Sequence, residues 1–264
     1  MLVIVFFTLI IAIKMTKEIT REALIPSEVV VLSIDNTQWF ENKNLNELYV
    51  NEWEMAARVS KEVIDLCKSY GIKIINVFDN HPLWHVLFAA NYNNKKPYDL
   101  ISYDEVKDWT EKDNQIWDRA EFSLEELKSY LKAVWNEVLW PDHCIQGTQW
   151  AKVNPPLVDS DFDYNVSKWE KVVNSWYSAF DHTKLDELLK SKNIKKLILT
   201  WVATDYCVWQ SALDAQNLWY NPIIISDAVR GVAPDTTSNM VNKLSNQWIK
   251  VITKDELLKL LKGS

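Results

Sequence analysis

Four short polar clusters hold the residue types that covalent catalysis uses. They are Asp35 in Ile34-Asp35-Asn36-Thr37, Asp79 and His81 in Asp79-Asn80-His81-Pro82, Lys168 after Val166-Ser167, and Cys207 in Ala203-Thr204-Asp205-Tyr206-Cys207. A cysteine where a loop enters a helix faces unpaired backbone N–H groups and the positive end of the helix dipole, both of which favour an anion. Such a thiol has its pKa lowered from about 8.5 into the range of roughly 3.5 to 7.5, and the thiolate is the nucleophile. The same N–H groups can hold the oxyanion of a tetrahedral intermediate. A lone cysteine is more often a small buried apolar residue. The aspartate and lysine clusters are what favour the nucleophile here.

Asp79 and His81 stand two residues apart, and His143 in Trp140-Pro141-Asp142-His143-Cys144 offers a third donor. Two imidazoles and a carboxylate with open positions suit a divalent transition metal used in catalysis. An Asp-x-His pair alone is a weak signal, because both residues also cap loops. His85 is a candidate further ligand or a group supporting the ligands, whereas His182, just ahead of a helix, reads as a surface residue.

The elements that must carry these clusters alternate. Buried-strand runs at 29–34, 72–78, 164–168, 196–200, 222–226 and 249–252 are interleaved with helical spacing at 52–70, 183–191, 205–218, 235–245 and 254–261. That alternation predicts a mostly parallel sheet covered on both faces. Ligands of such sheets bind beyond the carboxyl ends of the strands, where the strand order reverses. Each polar cluster falls at such an end. A dinucleotide site is excluded, since Ile34-Asp35-Asn36-Thr37-Gln38 has no glycine-rich turn to cradle a pyrophosphate. Residues 91–122, polar and without periodicity, read as an insertion over the sheet.

The order and spacing of these motifs resemble the nicotinamidase and pyrazinamidase branch of the isochorismatase-like cysteine hydrolases, over about residues 29–252 with 91–122 unmatched. Besides the clusters already quoted, the resemblance rests on Leu139-Trp140-Pro141-Asp142-His143-Cys144-Ile145-Gln146-Gly147-Thr148, Tyr177-Ser178-Ala179-Phe180 and Asp227-Ala228-Val229-Arg230-Gly231-Val232. It implies a Rossmann-like α/β fold of the isochorismatase type, with about six strands. It assigns Cys207 as nucleophile, Asp35 as the base that takes the thiol proton and returns it to ammonia, and Lys168 as the third member. Asp79, His81 and His143 would bind one divalent metal, zinc foremost, with iron or manganese as alternatives. Phe40 and Trp140 match positions that sandwich the substrate ring. The backbone N–H groups of Ala203 and Cys207 match the oxyanion hole, and the Val202-Ala203 peptide is expected to be cis. The implied reaction hydrolyses nicotinamide or pyrazinamide through a cysteine thioester, serving NAD salvage in the cytoplasm. The alternatives are a related hydrolase acting on another small amide, or an inactive member.

Composition agrees with a soluble enzyme acting on a small molecule. In 264 residues, 29 basic against 36 acidic side chains give a net charge of -7, which disfavours a nucleic-acid partner. Three cysteines without a C-x-x-C pair suggest neither a disulfide framework nor a thiolate zinc site. The length fits a single hydrolase domain at 29–264 after an extension at 1–28, and a homo-oligomer is compatible with it. The apolar run at 2–13 is short for a membrane span and lacks a signal-peptide pattern. It reads as lying ahead of a true start at Met15, with a membrane anchor as the alternative.

One feature stands apart: 14 tryptophans beside 4 glycines, when glycine alone usually makes up about 7% of a chain. Trp39, Trp53, Trp150, Trp169, Trp201, Trp219 and Trp248 stand where the family or backbone geometry calls for glycine. The reading is that UGA codons meaning glycine in the source lineage have been rendered as tryptophan. The alternative is a protein rich in aromatic core groups, in which these indoles would obstruct the crevice.

Overall fold

The computed structural model describes residues 24–38, 50–118, 120–168, 171–173 and 177–263. The 2–13 run, Met15, Trp39, Phe40 and Trp169 lie outside the described residues. In chain order the strands are Val29–Ile34 (β1), Lys73–Asp79 (β2), Leu100–Ser102 (β3), Asn136–Val138 (β4), Tyr164–Lys168 (β5), Lys196–Val202 (β6), Asn221–Arg230 (β7) and Lys250–Ile252 (β8). The helices are Trp53–Ser69 (α1), Tyr103–Val106 (α2), Leu124–Val134 (α3), Leu185–Ser191 (α4), Trp209–Asn217 (α5), Pro234–Asn246 (α6) and Lys254–Lys262 (α7).

Six strands form one sheet in the order β5-β2-β1-β6-β7-β8, every pairing parallel. The strand order reverses between β1 and β6, which opens a crevice beyond their carboxyl ends. β1 is buried along its whole length, as expected of a strand covered on both faces. Its side chains alternate between two cores. Val30, Leu32 and Ile34 pack with Leu185, Leu189, Ala212, Ala215 and Leu244 of α4, α5 and α6. Val29 and Val31 pack with Val59, Val63, Ile64 and Cys67 of α1 and with Leu257 and Leu261 of α7. Each such aliphatic side chain, fully buried, contributes roughly 1.5–3 kcal/mol.

The segment read as an unpatterned insertion is ordered. β3 pairs antiparallel with β4, and Phe88, Ile101, Phe122, Leu127, Leu131 and Leu139 form a third core beneath them. α3 begins with a capping box in which Ser123 and Glu126 bond each other's backbone. An isolated bridge from Phe88 to Trp140 lies within this lobe, and one from His81 to Ile145 ties the segment after β4 to the chain leaving β2.

Three strand and helix bounds differ from expectation for a local reason. β6 runs on to Val202, and β7 runs to Arg230 because its register against β6 jumps between Leu199 and Trp201, accommodating the polar Ser226 and Asp227. The helix expected from 205 starts as a π-helical turn, Thr204–Val208, closed by the Val208 N–H on the Ala203 carbonyl. Of the tryptophans singled out above, Trp201, Trp219 and Trp248 have φ of 85°, 71° and 63°, while Trp150 and Trp53, the latter opening α1 with helical backbone that needs no glycine, are not among the positive-φ residues. No helix among the described residues is long and apolar enough to cross a membrane.

Candidate active site

Parallel pairing delivers all four clusters to one end of the sheet. Asp35 follows the last residue of β1, and its N–H donates to the Val77 carbonyl at 2.7 Å. Asp79 and Lys168 are the last residues of β2 and β5 and are partners in register. Cys207 lies in the π-helical turn after β6, which is the strand beside β1. The crevice at the reversal point therefore receives all four residues.

Lys168 is the centre of the charge arrangement. Its Nζ is 2.7 Å from Asp35 Oδ2 and 3.0 Å from Asp79 Oδ1, and all three residues are buried. Burial would push the ammonium to lose its proton, but Asp35, Asp79 and Cys207 outweigh it and hold Lys168 charged. Burial also raises the carboxyls, yet the two aspartates end far apart. Asp35 is pushed up to about 7, by burial first and the Asp79 charge second, against the opposing pull of Lys168 and a hydrogen bond with Cys207. Asp79 stays below the ordinary carboxylate range because Lys168, His81 and His143 together overcome its burial. Two carboxyls of one type thus serve as a poised base and a fixed anion.

The thiol departs from the sequence expectation. Cys207 was placed at a helix start with a lowered pKa. The structure instead buries it in the turn, and burial together with the Asp35 charge raises the thiol well above its ordinary value against the pull of Lys168. The dipole of the short turn does not offset that desolvation. A protonated thiol beside Asp35 is consequently the resting arrangement.

Asp79, His81 and His143 each offer a ligand atom within 4.8 Å of the others, and all three are buried. Burial lowers the pKa of His81, and lowers that of His143 to about 3 with help from His81, so both rings are neutral. His143 Nδ1 lies 2.7 Å from the Pro141 carbonyl. In the neutral ring that nitrogen carries the proton, leaving Nε2 as the lone-pair atom. The donor set of one ionised carboxylate and two neutral imidazoles fits a divalent transition metal. His85 stands beside it, its ring 5.2 Å from that of His81, with Nδ1 accepting the Leu87 N–H at 3.2 Å. With that lone pair engaged, the neutral ring carries its proton on the remaining nitrogen. His182 is on the surface beside Asp181.

Trp140 walls the crevice. It is buried, its ring meets Tyr206 edge-on at 5.3 Å, and Tyr206 immediately precedes Cys207. The Val202-Ala203 peptide is cis, as expected. Ala203 and Cys207 both lie in the turn, the former as its N-cap. Phe40, the proposed partner of Trp140, is outside the described residues.

Several supporting residues were not anticipated. Asp205 accepts the N–H groups of Val232 at 2.9 Å and Ala233 at 3.2 Å and the Thr236 hydroxyl, anchoring the Cys207 turn to the start of α6. Gly231 must be glycine in this arrangement, because a Cβ there would lie 1.8 Å from Thr237 Oγ1 and 3.0 Å from Asp205 Oδ1. Phe88 sets its edge against His81 and His143, with ring centroids 5.5 and 5.3 Å away. Glu137 of β4 accepts the hydroxyls of Tyr130 at 3.0 Å and Tyr177 at 3.3 Å, and Tyr177 in turn accepts the Trp140 indole N–H at 3.3 Å. Asp205 was legible as part of the Cys207 motif, but nothing in the local sequence marks Glu137.

Comparisons with known proteins bear on the family and the fold. The family model for the isochorismatase domain matches residues 30–256. A nicotinamidase from Escherichia coli (strain K12) is 30% identical over 191 residues, covering 70% of this chain and 76% of that protein. Among solved structures, an Acinetobacter baumanii nicotinamidase/pyrazinamidase superposes with a TM-score of 0.69 at 24% identity, covering 89% of this chain and 100% of the other. The Pyrococcus horikoshii pyrazinamidase in complex with zinc superposes with a TM-score of 0.63 at 22% identity, covering 86% and 99%.

Proposed function

The chain belongs to the isochorismatase domain family, and from that premise we propose that it is a nicotinamidase, hydrolysing nicotinamide to nicotinic acid and ammonia. Nicotinamidase relatives matched over most of their length support the activity. The observation that carries the assignment is the buried Lys168, which joins Asp35 on the thiol side to Asp79 on the metal side. Nucleophile and ring-holding site are thereby fixed at one separation.

Asp35 accepts the Cys207 proton as the sulfur attacks the carboxamide carbon, and Lys168 balances the negative charge that forms. The developing oxyanion is received by the N–H groups of Ala203 and Cys207. Collapse breaks the C–N bond, and Asp35 returns its proton to the departing ammonia. Water then enters, Asp35 takes one of its protons, and the thioester is hydrolysed to the carboxylate with the thiol restored. Asp79, His81 and His143 would hold a divalent metal, zinc by the chemistry of the donor set and by analogy with the zinc-bound neighbour, supplying a Lewis-acid point for the pyridine nitrogen. Trp140 covers one face of the ring, and Phe40 is proposed for the other. His85 supports the ligands as a hydrogen-bond donor. The product would feed NAD salvage.

The test is ammonia release from nicotinamide by the purified protein. Activity should fall by roughly 10³-fold or more in Cys207→Ala and be lost reversibly on chelation. An active Cys207→Ala protein, or turnover of other amides but not nicotinamide, would overturn the reading.

A further inference from the structure

Four helices of this protein end in the same way, and the residue at the end is the informative one. After α1 the N–H of Ile72 bonds the Cys67 carbonyl at 3.0 Å and that of Gly71 bonds Lys68 at 2.9 Å. After α4 the N–H of Ile194 bonds Leu189 at 3.0 Å and that of Asn193 bonds Lys190 at 3.0 Å. After α5 the pair is Tyr220 to Ala215 at 2.9 Å and Trp219 to Gln216 at 3.0 Å, and after α6 the N–H of Ile249 bonds Leu244 at 3.1 Å across Trp248. These are Schellman closures, which require a left-handed residue at the position after the cap, usually glycine and sometimes asparagine. The residues present are Gly71, Asn193, Trp219 and Trp248, with φ of 77°, 57°, 71° and 63°. Two follow the rule and two are tryptophan.

Trp135, the cap residue of α3, shares the positive φ, at 72°, but its N–H bonds the Leu131 carbonyl in place of a Schellman pair. None of the three helix-end indoles repays its backbone cost by burial: Trp219 is 92% exposed, Trp248 74% and Trp135 52%. Trp201 is the inverse case. It has φ 85°, is fully buried against Cys144, Val202 and Ala203, and its indole nitrogen has no hydrogen-bond partner. A left-handed backbone, a crowded side chain and an orphaned donor thus meet at one position beside the crevice. The chain's own glycines occupy the same backbone region: three of the four, Gly71, Gly147 and Gly263, have φ of 70–77°.

We infer that the natural polypeptide carries glycine at positions 135, 201, 219 and 248, their codons being UGA read as glycine. The backbone separates these four from the other described tryptophans. Trp140 has no positive φ and its indole donates to Tyr177. Trp53 and Trp209 open helices with ordinary backbone. Position 135 enters on geometry alone. With glycine at 201, no indole is packed beneath the segment leading to Cys207. The inference does not depend on the substrate.

Peptide mass spectrometry of the protein isolated from its own cells is the direct test, with glycine expected at all four positions and tryptophan retained at 140. Tryptophan in those peptides, or UGG at those codons, overturns the inference. A second measurement compares the recombinant chain as printed with one carrying Trp135→Gly, Trp201→Gly, Trp219→Gly and Trp248→Gly. Removing four strained side chains should raise the melting temperature by on the order of 10 °C, whereas Trp53→Gly should lower it. An equal or lower melting temperature for the fourfold variant counts against the inference.

Discussion

Asp35 and Asp79 share one lysine and have opposite protonation tendencies, and the difference sets how the site responds to pH. A base must be ionised to accept the Cys207 proton, and burial with the Asp79 charge pushes Asp35 up to about 7. Protonated below that value, Asp35 cannot act, so kcat/KM should fall about tenfold per pH unit on the acid side. A cation bound at Asp79 offsets part of that carboxylate's push, placing the bend between the ordinary 3.8 and 7. Ammonia release measured against pH reads it directly. A profile flat from pH 8 to about 4 excludes Asp35 as the base. At this scale the sequence was informative about identity and uninformative about state. Residue types and order in Asp35, Asp79, His81, His143, Lys168 and Cys207 were visible as motifs. The raised thiol of Cys207 was not, because desolvation depends on what surrounds a group in space.

Elements position the substrate as much as single residues do, and the small lobe contributes more than a covering. Glu137 on β4 orients Tyr177, and Tyr177 fixes the indole of Trp140. Glu137→Gln weakens a charge-assisted bond while keeping the shape, which should loosen that wall and raise KM for nicotinamide several-fold with kcat little changed. Steady-state kinetics of Glu137→Gln and Tyr177→Phe check this. Unchanged KM in both removes the lobe from recognition. The main strands and helices were legible because their apolar periods differ. The lobe was not, since β3 and β4 are only three residues each and their pairing is non-local. α3 did leave a readable signal, the Ser123 to Glu126 capping box ahead of Leu124, Leu127 and Leu131.

For the whole molecule, the metal-ligand candidates come from two parts: Asp79 ends β2 of the main sheet with His81 just beyond it, and His143 follows β4 of the small lobe. A cation held by all three links those parts in the native state alone. Zinc at 100 times its Kd should therefore raise the unfolding free energy by about 2.7 kcal/mol. Denaturant melts with and without metal measure it, Asp79→Ala should abolish the gain, and no gain in the unaltered chain would rule out a specific site. The doubly wound architecture was readable from the alternation of elements. The shared lysine was not, because the register pairing of Asp79 with Lys168 joins residues far apart in the chain.

β5, the strand that ends in Lys168, lies at one edge of the sheet. An open edge is a template on which a second chain can add a strand, and an inward-pointing charge is one of the devices that prevents it. Lys168 turns inward and is held by two aspartates on the interior side. Exchange of Lys168 for an apolar residue should therefore cost solubility as well as turnover, because the charge that serves the nucleophile also guards the protein against aggregation.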